Sequence, residues 1–377
     1  MTSGRAFAVG EADLWAIAQS VVGEHRAAPC AVVAAAVRRD GEWRHGLGAA
    51  GRLWFQDEAP RADVETPFDL ASLTKPFTAL ALARLARQGR AHRDEALADL
   101  LPELSGTASA RVSLDLLSAH RAGLEGHVKL YAPLLGGREV DSAAALAIAA
   151  SARRAGCDGA PPLEGFPPVY SDLGYLLLGE AIAARAASPL DEVIRREVSA
   201  PLGLTIGSAR QMRARDARFD ERVAPTEDVP FRGGVVRGLV HDENAFAMSG
   251  DAASGHAGLF GDARSVARLG VAVLDALAGR APGWLDPEDI APLVRPRPGG
   301  SLLAGFDRRS GEAPLSGARF GPQTFGHLGF TGTSLWMDPE AERVGVLLTN
   351  RVHPTRDTQA IRKARPAVYD ALVEAMG

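Results

Sequence analysis

The spacing of apolar residues predicts a helix and a β-hairpin at the start of the chain. Apolar side chains recur at helical intervals over residues 11–24, which indicates an amphipathic helix. The runs Ala31–Val37 and Glu42–Leu47 are typical of strands, and the Asp40-Gly41 pair between them favours a tight hairpin turn. The chain therefore begins by forming one edge of a sheet.

Strand-like runs return near the C-terminus. They cover Ser301–Phe306, His327–Thr331, Ser334–Met337 and Val344–Thr349. Residues 358–375 follow with the apolar spacing of an amphipathic helix. These patterns predict a single sheet built from both ends of the chain, with the terminal helices packed on it.

The middle of the chain has mainly helical patterns. Pro76–Leu85 is almost wholly apolar, which predicts a helix that is buried on most sides. Further helices are predicted at 113–119, 141–153, 173–186, 190–199, 262–279 and 285–294. We therefore predict a mixed α+β fold with an antiparallel sheet. Residues 1–90 and 300–377 form a discontinuous α/β domain, and residues 91–299 form an inserted, mainly α-helical domain.

Composition and charge narrow the class of function. The 377 residues are 46% hydrophobic and 23% charged with a formal net charge of −4, so no broad positive surface for nucleic acid is expected. Cys30 and Cys157 match no disulfide or zinc-ligand pattern and are predicted to be core or incidental thiols. Met1–Gly10 lacks the pattern of a secretory signal, and Ala31–Val37 is too short to span a bilayer, which favours a cytoplasmic protein without a membrane segment. We expect a small-molecule or peptide substrate, and the sequence leaves the oligomeric state open.

A serine and a lysine stand three residues apart at the start of the apolar helix. Positions i and i+3 share a helix face, so the Lys75 amine can approach the Ser72 hydroxyl. Pro76 fits a helix only near its first turn, which places the helix start at about Ser72. There the positive end of the helix dipole favours an attacking alkoxide, and a buried Lys75 can act as its base. Taken alone, the same spacing more often marks a helix cap followed by a surface lysine.

A glycine-flanked strand near the C-terminus adds a second candidate element. Gly329 would let a substrate backbone lie against the strand edge. The Phe330 N–H could supply an oxyanion donor beside that of Ser72. A plain hairpin with a core His327 is the structural alternative.

A tyrosine at the end of a proline-rich loop adds a third element. A helix opens directly after Tyr170, with Ser171 or Asp172 as its N-cap. Tyr170 could share a proton with Ser72 and the leaving group. The structural alternatives are a tyrosine that anchors the loop and an aspartate that only caps the helix.

Three short motifs, in this order and with these gaps, resemble those of serine β-lactamases and low-molecular-mass penicillin-binding proteins of the class C β-lactamase type. They are Ser72-x-x-Lys75, Tyr170-Ser171-Asp172 and His327-Leu328-Gly329. Segments 116–124 and 255–260 are also similar to that family, so the resemblance covers most of the chain from about residue 30 to 376. It implies an α/β sheet domain with a helical insertion, and an active site between the two.

Two positions depart from the family's commonest pattern. The family usually has Asn where Asp172 stands and often Lys where His327 stands, although His is a familiar variant among its carboxypeptidase, amidase and esterase relatives. A carboxylate at 172 favours a charged Lys75, which moves part of the base role to Tyr170 and weakens the case for an antibiotic-destroying β-lactamase. A titratable His327 weakens the expectation of strict carboxylate recognition.

Two further segments and several missing motifs refine the hypothesis. Residues 241–244 and 349–357 resemble a subgroup associated with peptidoglycan-peptide turnover. Asp242, Asn244 and Arg351 are their candidate substrate-binding residues, with a polar loop network as the alternative. The Gly-x-Gly-x-x-Gly pattern at 46–51 precedes no helix start and is interpreted as a chance match in a turn. The sequence has no P-loop, His-Glu-x-x-His or Gly-x-Ser-x-Gly motif, which argues against nucleotide hydrolases, zinc peptidases and α/β-hydrolases.

These elements together predict a serine hydrolase that works through an acyl-enzyme. Ser72 attacks a carbonyl, and Lys75 and Tyr170 move the proton, with no metal or cofactor required. The leading substrate is an amide of peptidoglycan origin, either a D-alanyl peptide or a muropeptide. A carboxylesterase with the same site is the first alternative. The second alternative is a catalytically silent relative that binds a peptide.

Overall fold

The chain folds around a six-stranded antiparallel sheet that both of its ends build. The structure is a computed structural model that describes residues 9–377, so the expectation for Met1–Gly10 falls mostly outside the described residues. Within residues 9–377 the strands are β1 Cys30–Arg39, β2 Glu42–Gly51, β3 Phe68–Asp69, β4 Ile206–Ser208, β5 Asp228–Val229, β6 Gly234–Val235, β7 Leu259–Gly261, β8 Asp307–Arg308, β9 Phe325–Leu328, β10 Ser334–Asp338 and β11 Arg343–Thr349. The order in the sheet is β2-β1-β11-β10-β9-β8, with the first hairpin paired to the last strand. The predicted fold class is confirmed.

Helices cover both faces of this sheet and fill most of the middle of the chain. In the same described range they are α1 Glu11–Gly23, α2 Thr74–Arg87, α3 Leu97–Leu100, α4 Leu114–Ser118, α5 Ala132–Leu135, α6 Ser142–Ser151, α7 Asp172–Ala186, α8 Leu190–Ile194, α9 Ala209–Arg215, α10 Phe219–Arg222, α11 Glu243–Ser249, α12 Ala263–Leu277, α13 Pro287–Val294 and α14 Ile361–Met376. The predicted helices are confirmed to within a few residues at their ends, and a π-helical turn continues α8 to Ser199. None of the helices in this range is long and apolar enough to cross a membrane.

The continuous apolar sequence of β1 follows from burial on both faces. Its even-numbered residues from Cys30 to Ala36 lie in the core shared with α2 and α12. Its odd-numbered residues from Ala31 to Val37 pack beneath α1 and α14. A strand covered on both sides needs an apolar residue at every position. Cys30 and Cys157 are free and buried, as predicted.

Strand β2 continues beyond its predicted end to Gly51, through the glycine-rich segment 46–51. The interpretation of that segment as a turn is wrong, because α1 packs directly on the strand. A side chain on Gly46 or Gly48 would collide with Leu14 of α1. The glycines therefore serve close packing of a helix on a sheet.

Two of the predicted C-terminal strands differ from the structure. Ser301–Phe306 forms no strand and makes only one bridge to the sheet, from Leu302 to Asp307 of β8, because the chain turns at Gly305 with a φ of +86° and lies against α2. Strand β9 covers 325–328, because the Gly329 amide donates to the Thr333 carbonyl oxygen at 2.7 Å and closes a turn. Strands β10 and β11 agree with the prediction.

The region predicted to be mainly helical also supplies strands to a second, smaller sheet and a helix that packs on the central sheet. A three-stranded sheet, β3-β7-β4, pairs residues far apart in sequence beside the start of α2. Helix α12 packs on the central sheet against β1, β10 and β11. The division into residues 1–90 with 300–377 and residues 91–299 remains a prediction.

Candidate active site

Ser72 lies in a short 3₁₀ turn, Ala71–Leu73, that leads into α2, so the predicted helix start is confirmed. The turn is anchored by the buried carboxylate of Asp69, which accepts hydrogen bonds from the amides of Ala71 at 2.7 Å and His241 at 2.6 Å. Ala71 has a φ of +48°, a left-handed conformation that costs a non-glycine residue about 1–2 kcal/mol. The Asp69 carboxylate thus helps to hold the serine in place.

Two threonines from the turn after β9 tie the Ser72 segment to the sheet. Thr331 Oγ1 donates to the Asp69 carbonyl oxygen at 2.8 Å, and Thr333 Oγ1 donates to that of Leu70 at 3.0 Å. A side chain on Gly329 would come within 2.7 Å of the Leu70 carbonyl oxygen. Glycine is therefore required at 329 for the protein to pack on itself, and its role in admitting a substrate backbone remains a prediction.

Lys75 is completely buried, and its ammonium group joins two of the motifs. Its Nζ donates to Ser72 Oγ at 2.9 Å and to Asp172 Oδ1 at 2.7 Å. Burial lowers the pKa of Lys75, but the Asp172 carboxylate and Tyr170 more than offset this effect, and the pKa lies above its ordinary value. Lys75 is therefore charged in the resting site.

Asp172 is the first residue of α7, but it does not cap that helix. Ser171 is the N-cap, and its Oγ accepts a hydrogen bond from the Gly174 amide at 3.2 Å. The Asp172 carboxylate instead pairs with Lys75. This geometry therefore favours a role for Asp172 in orienting the catalytic groups over a role limited to capping the helix.

Tyr170 lies against Lys75, whose Nζ is 4.6 Å from the centre of the tyrosine ring. Burial raises the pKa of Tyr170, while the Lys75 ammonium and the Ser72 hydroxyl oppose the rise. The ring stacks on His120 at 4.7 Å, and His120 Nδ1 accepts the Ser171 N–H at 3.0 Å. Burial keeps the pKa of His120 well below its ordinary value, so it is a neutral acceptor that fixes the tyrosine loop.

Two backbone amides in the cleft are available to bind an oxyanion. Among residues 9–377, neither the Ser72 nor the Phe330 amide has a hydrogen-bond acceptor. Both residues line the same cleft, whose volume is about 780 Å³. Free N–H groups that face a nucleophile are suited to a developing negative charge.

His327 is buried and neutral. Its Nδ1 lies 2.8 Å from the Leu328 carbonyl oxygen, which can only accept, so Nδ1 carries the proton. Burial and the charge of Lys75 lower the pKa of His327 to about 3. A neutral imidazole provides no fixed positive charge for a substrate carboxylate at this position.

Asp242 and Arg351 line the cleft, but internal partners bind both side chains. Asp242 Oδ1 lies 2.9 Å from His256 Nε2 and accepts the Ala245 amide at 2.8 Å as the N-cap of α11. The pKa of Asp242 is lowered: burial raises it, but His256 outweighs that effect. Arg351 Nε donates to the Phe330 carbonyl oxygen at 2.8 Å, and its guanidinium lies over the Phe330 ring at 4.5 Å.

Asn244 is placed away from the cleft lining. Its Nδ2 donates to the Val128 carbonyl oxygen at 2.8 Å, and its Oδ1 accepts the Tyr131 amide at 3.2 Å. The side chain is buried, with 1% of the residue exposed. This geometry favours the polar loop network over direct substrate contact.

The sequence reasoning missed several groups that shape the site. Arg356 lies in the cleft, where Nε bonds Glu227 at 2.5 Å and Nη2 bonds Glu243 at 2.6 Å. His120 lies inside segment 116–124 and Asp69 three residues before Ser72, but their partners are 51 and 172 residues away, beyond the reach of local patterns. In residues 9–377, no cluster of three or more His, Cys, Asp or Glu side chains could hold a metal ion.

Proteins of one family match most of this chain. The Beta-lactamase family model matches residues 18–369. The N-acetylmuramyl-L-alanine amidase of Bacillus subtilis (strain 168) is 33% identical over 314 residues, which cover 76% of this chain and 68% of that protein. The putative D-alanyl-D-alanine carboxypeptidase of Escherichia coli (strain K12) is 29% identical over 345 residues, which cover 84% and 77%.

A solved structure shows the same fold. EstCE1, a hydrolase with promiscuous acyltransferase activity, aligns with a TM-score of 0.69 at 22% sequence identity, covering 95% of this chain and 98% of that one. The family identified from the three motifs is therefore confirmed. The chain belongs to the β-lactamase family and is a serine hydrolase.

Proposed function

We propose that Ser72 is the nucleophile of an acyl-enzyme reaction on an amide of peptidoglycan origin. The observation that carries this proposal is the buried Lys75 ammonium, which bonds both Ser72 Oγ and the Asp172 carboxylate. A lysine with a purely structural role at a helix start would not require a hydrogen bond to a serine hydroxyl that lines a cleft. The two free amides beside this serine supply the other half of an acyl-transfer site.

The charges in the resting site divide the proton transfer between Lys75 and Tyr170. Because Lys75 is already protonated, Tyr170 takes the larger share of the base role once its own proton has passed to the solvent. The neighbouring ammonium stabilises the phenolate that forms. Tyr170 then accepts the Ser72 proton as Oγ bonds to the carbonyl carbon.

The later steps restore the Ser72 hydroxyl and the Tyr170 phenolate. The amides of Ser72 and Phe330 hold the oxyanion, and the proton on Tyr170 passes to the leaving nitrogen as the carbon–nitrogen bond breaks. Water then attacks the acyl-enzyme, gives a proton to Tyr170, and releases the acid. Ser72 recovers its proton from Tyr170 when its bond to the acyl carbon breaks.

The substrate class is supported by the names of the two relatives, an N-acetylmuramyl-L-alanine amidase and a putative D-alanyl-D-alanine carboxypeptidase. A cleft of about 780 Å³ is large enough for several residues of a muropeptide or a D-alanyl peptide. A carboxylesterase is the alternative that one specific observation favours. The neutral His327 offers no charge for a substrate carboxylate, so an uncharged ester would lose nothing there.

The test compares purified enzyme on a muropeptide, a D-alanyl peptide and nitrophenyl butyrate, with the Ser72→Ala variant as the control. We expect the wild-type enzyme to release an amine from at least one peptide, and the variant to release none. Ester hydrolysis without cleavage of either peptide would favour the carboxylesterase. A folded protein that cleaves none of the three would favour the silent peptide-binding relative.

A further inference from the structure

Two segments that the sequence singled out separately, residues 241–244 and 255–260, are joined by one pair of side chains. Asp242 Oδ1 lies 2.9 Å from Nε2 of the buried His256. A carboxylate oxygen of this kind can only accept, so Nε2 carries the proton. The other ring nitrogen, Nδ1, lies 3.1 Å from Ser254 Oγ. Both nitrogens of the imidazole are therefore held, and the ring fastens segment 255–260 to the start of α11.

The backbone of His256 reaches the catalytic ammonium group. Its carbonyl oxygen accepts a hydrogen bond from Lys75 Nζ at 3.4 Å, the longest of the three bonds that this group donates. An ammonium group has three donors, and because Lys75 is completely buried, each donor needs an acceptor inside the protein. Ser72 and Asp172 provide two acceptors. The His256 carbonyl is the third, and it completes the set that directs the ammonium.

The turn that carries this carbonyl is fastened on two sides. On the side of α2, Thr78 Oγ1 donates to the Gly255 carbonyl oxygen at 2.8 Å. On the side of α11, the fastening is the bond between His256 and Asp242. Removing the second bond leaves the next carbonyl, the one that the ammonium uses, free to shift away from it.

We propose that Asp242 is a positioning residue for the acyl-transfer reaction and acts through His256. By holding the third acceptor of Lys75, it keeps the ammonium directed at the nucleophile. This inference rests on the proposed acyl-enzyme function and extends its machinery to the start of α11. Asp242 lines the cleft, but this role needs no contact with the substrate. Because the role depends on a hydrogen bond, an uncharged acceptor at position 242 should also fulfil it.

The first experiment measures kcat and KM for nitrophenyl butyrate. Asp242→Ala should lower kcat about tenfold and leave KM within about twofold, because a misplaced ammonium slows the chemistry and not the binding. Asp242→Asn keeps an oxygen acceptor and should retain kcat within about threefold. Asp262→Ala is the matched control, since Asp262 caps α12 and accepts the Ser265 amide at 2.7 Å but does not line the cleft. It should lose similar stability in urea and keep kcat within about twofold.

A second experiment asks whether Asp242 acts through Lys75, using the rate at which a fluorophosphonate labels Ser72. In the wild-type background, Asp242→Ala should slow labelling about tenfold. In the Lys75→Met background, the same change should slow it less than about twofold further, because no ammonium remains to be positioned.

The other partner of the pair offers an independent comparison. The side-chain amide of His256→Gln can still donate to Asp242, whereas His256→Ala cannot. The first variant should keep kcat within about threefold of the wild type, and the second should lose about tenfold.

The possible results separate the two proposals. Asparagine at 242 as slow as alanine, an equal loss in the Asp262→Ala control, or a full further loss in the Lys75→Met background would overturn the role of Asp242 and leave Ser72 as the nucleophile. A folded wild-type protein that hydrolyses neither ester nor peptide and is not labelled at Ser72 would overturn the proposed function, and this inference with it.

Discussion

The cleft has two walls of similar polarity that use their charges differently. We call Ser72, Lys75, Tyr170 and Asp172 the catalytic wall, and Asp242, Arg351 and Arg356 the loop wall. In the catalytic wall one buried ammonium touches the nucleophilic oxygen itself. In the loop wall every charged group is bonded to another internal group: an imidazole, backbone carbonyls or a pair of carboxylates. A charge in contact with the nucleophile controls proton transfer, whereas a charge that internal partners already bind mainly holds the shape of the site.

The comparison is tested most strongly by removing one cation from each wall. Lys75→Met should lower kcat/KM for nitrophenyl butyrate by about 10³-fold, because Ser72 loses its hydrogen-bond partner and Tyr170 loses the ammonium that stabilises its phenolate. Arg356→Met should lower kcat/KM less than tenfold, but it leaves Glu243 unpaired and Glu227 with His241 alone, and it should cost about 2 kcal/mol of unfolding free energy. Kinetics and urea unfolding measure both effects. Comparable losses of activity in the two variants would remove the distinction between the walls.

A single hydroxyl group provides the next test. Tyr170→Phe should lower kcat by about 10²-fold while the stacking on His120 keeps the loop in place. Tyr175→Phe is the matched control, because its hydroxyl donates only to the Ser118 carbonyl oxygen at 2.6 Å. The control should lose stability and keep most of its kcat. If Tyr170→Phe retains wild-type kcat, Tyr170 is not the proton acceptor.

The pH dependence of the reaction sharpens the account of the catalytic wall. The base must be deprotonated to act, and both Lys75 and Tyr170 have raised pKa values, so kcat/KM should rise with pH above neutrality. Asp172 contributes to raising the pKa of both groups. Asp172→Asn should therefore move the rising limb of the pH–kcat/KM profile to lower pH, by about one unit or more. A limb that stays in place, or moves to higher pH, contradicts the role given to this carboxylate.

The smallest expected effect on turnover concerns Asn244, which lies behind the loop wall. Asn244→Ala leaves the Val128 carbonyl and the Tyr131 amide without partners and should cost about 2 kcal/mol of unfolding free energy. The kcat for the same ester should stay within a factor of three of the wild-type value. A loss of more than a hundredfold in a folded variant would return Asn244 to the substrate-binding residues.

The separation in sequence between contacting residues explains how much of this site the sequence could predict. Ser72 and Lys75 are three residues apart on one helix, and helical geometry alone brings them together. The hairpin of β1 and β2 follows from its turn residues and its apolar runs. These parts of the fold and the site are local, and the sequence predicted them.

The remaining parts depend on contacts between distant segments. Asp69 binds the amide of His241, and Asp307 stands beside Gly326, partners that no local spacing identifies. The run Ser301–Phe306 has a strand-like composition because it packs against α2, so burial with a single bridge, Leu302 to Asp307, imitates the pattern of a strand. Asn244 was singled out by its neighbourhood in sequence, although its amide binds a loop more than a hundred residues away.

The identity of the nucleophile is the central claim, and mass spectrometry with a serine-directed fluorophosphonate tests it most directly. The folded wild-type protein and its Ser72→Ala variant are incubated with the reagent, and the intact masses and peptide maps are compared. We predict one adduct on the wild-type protein, located at Ser72, and none on the variant. An adduct at another residue, equal labelling of the variant, or no labelling of folded wild-type protein would contradict the account.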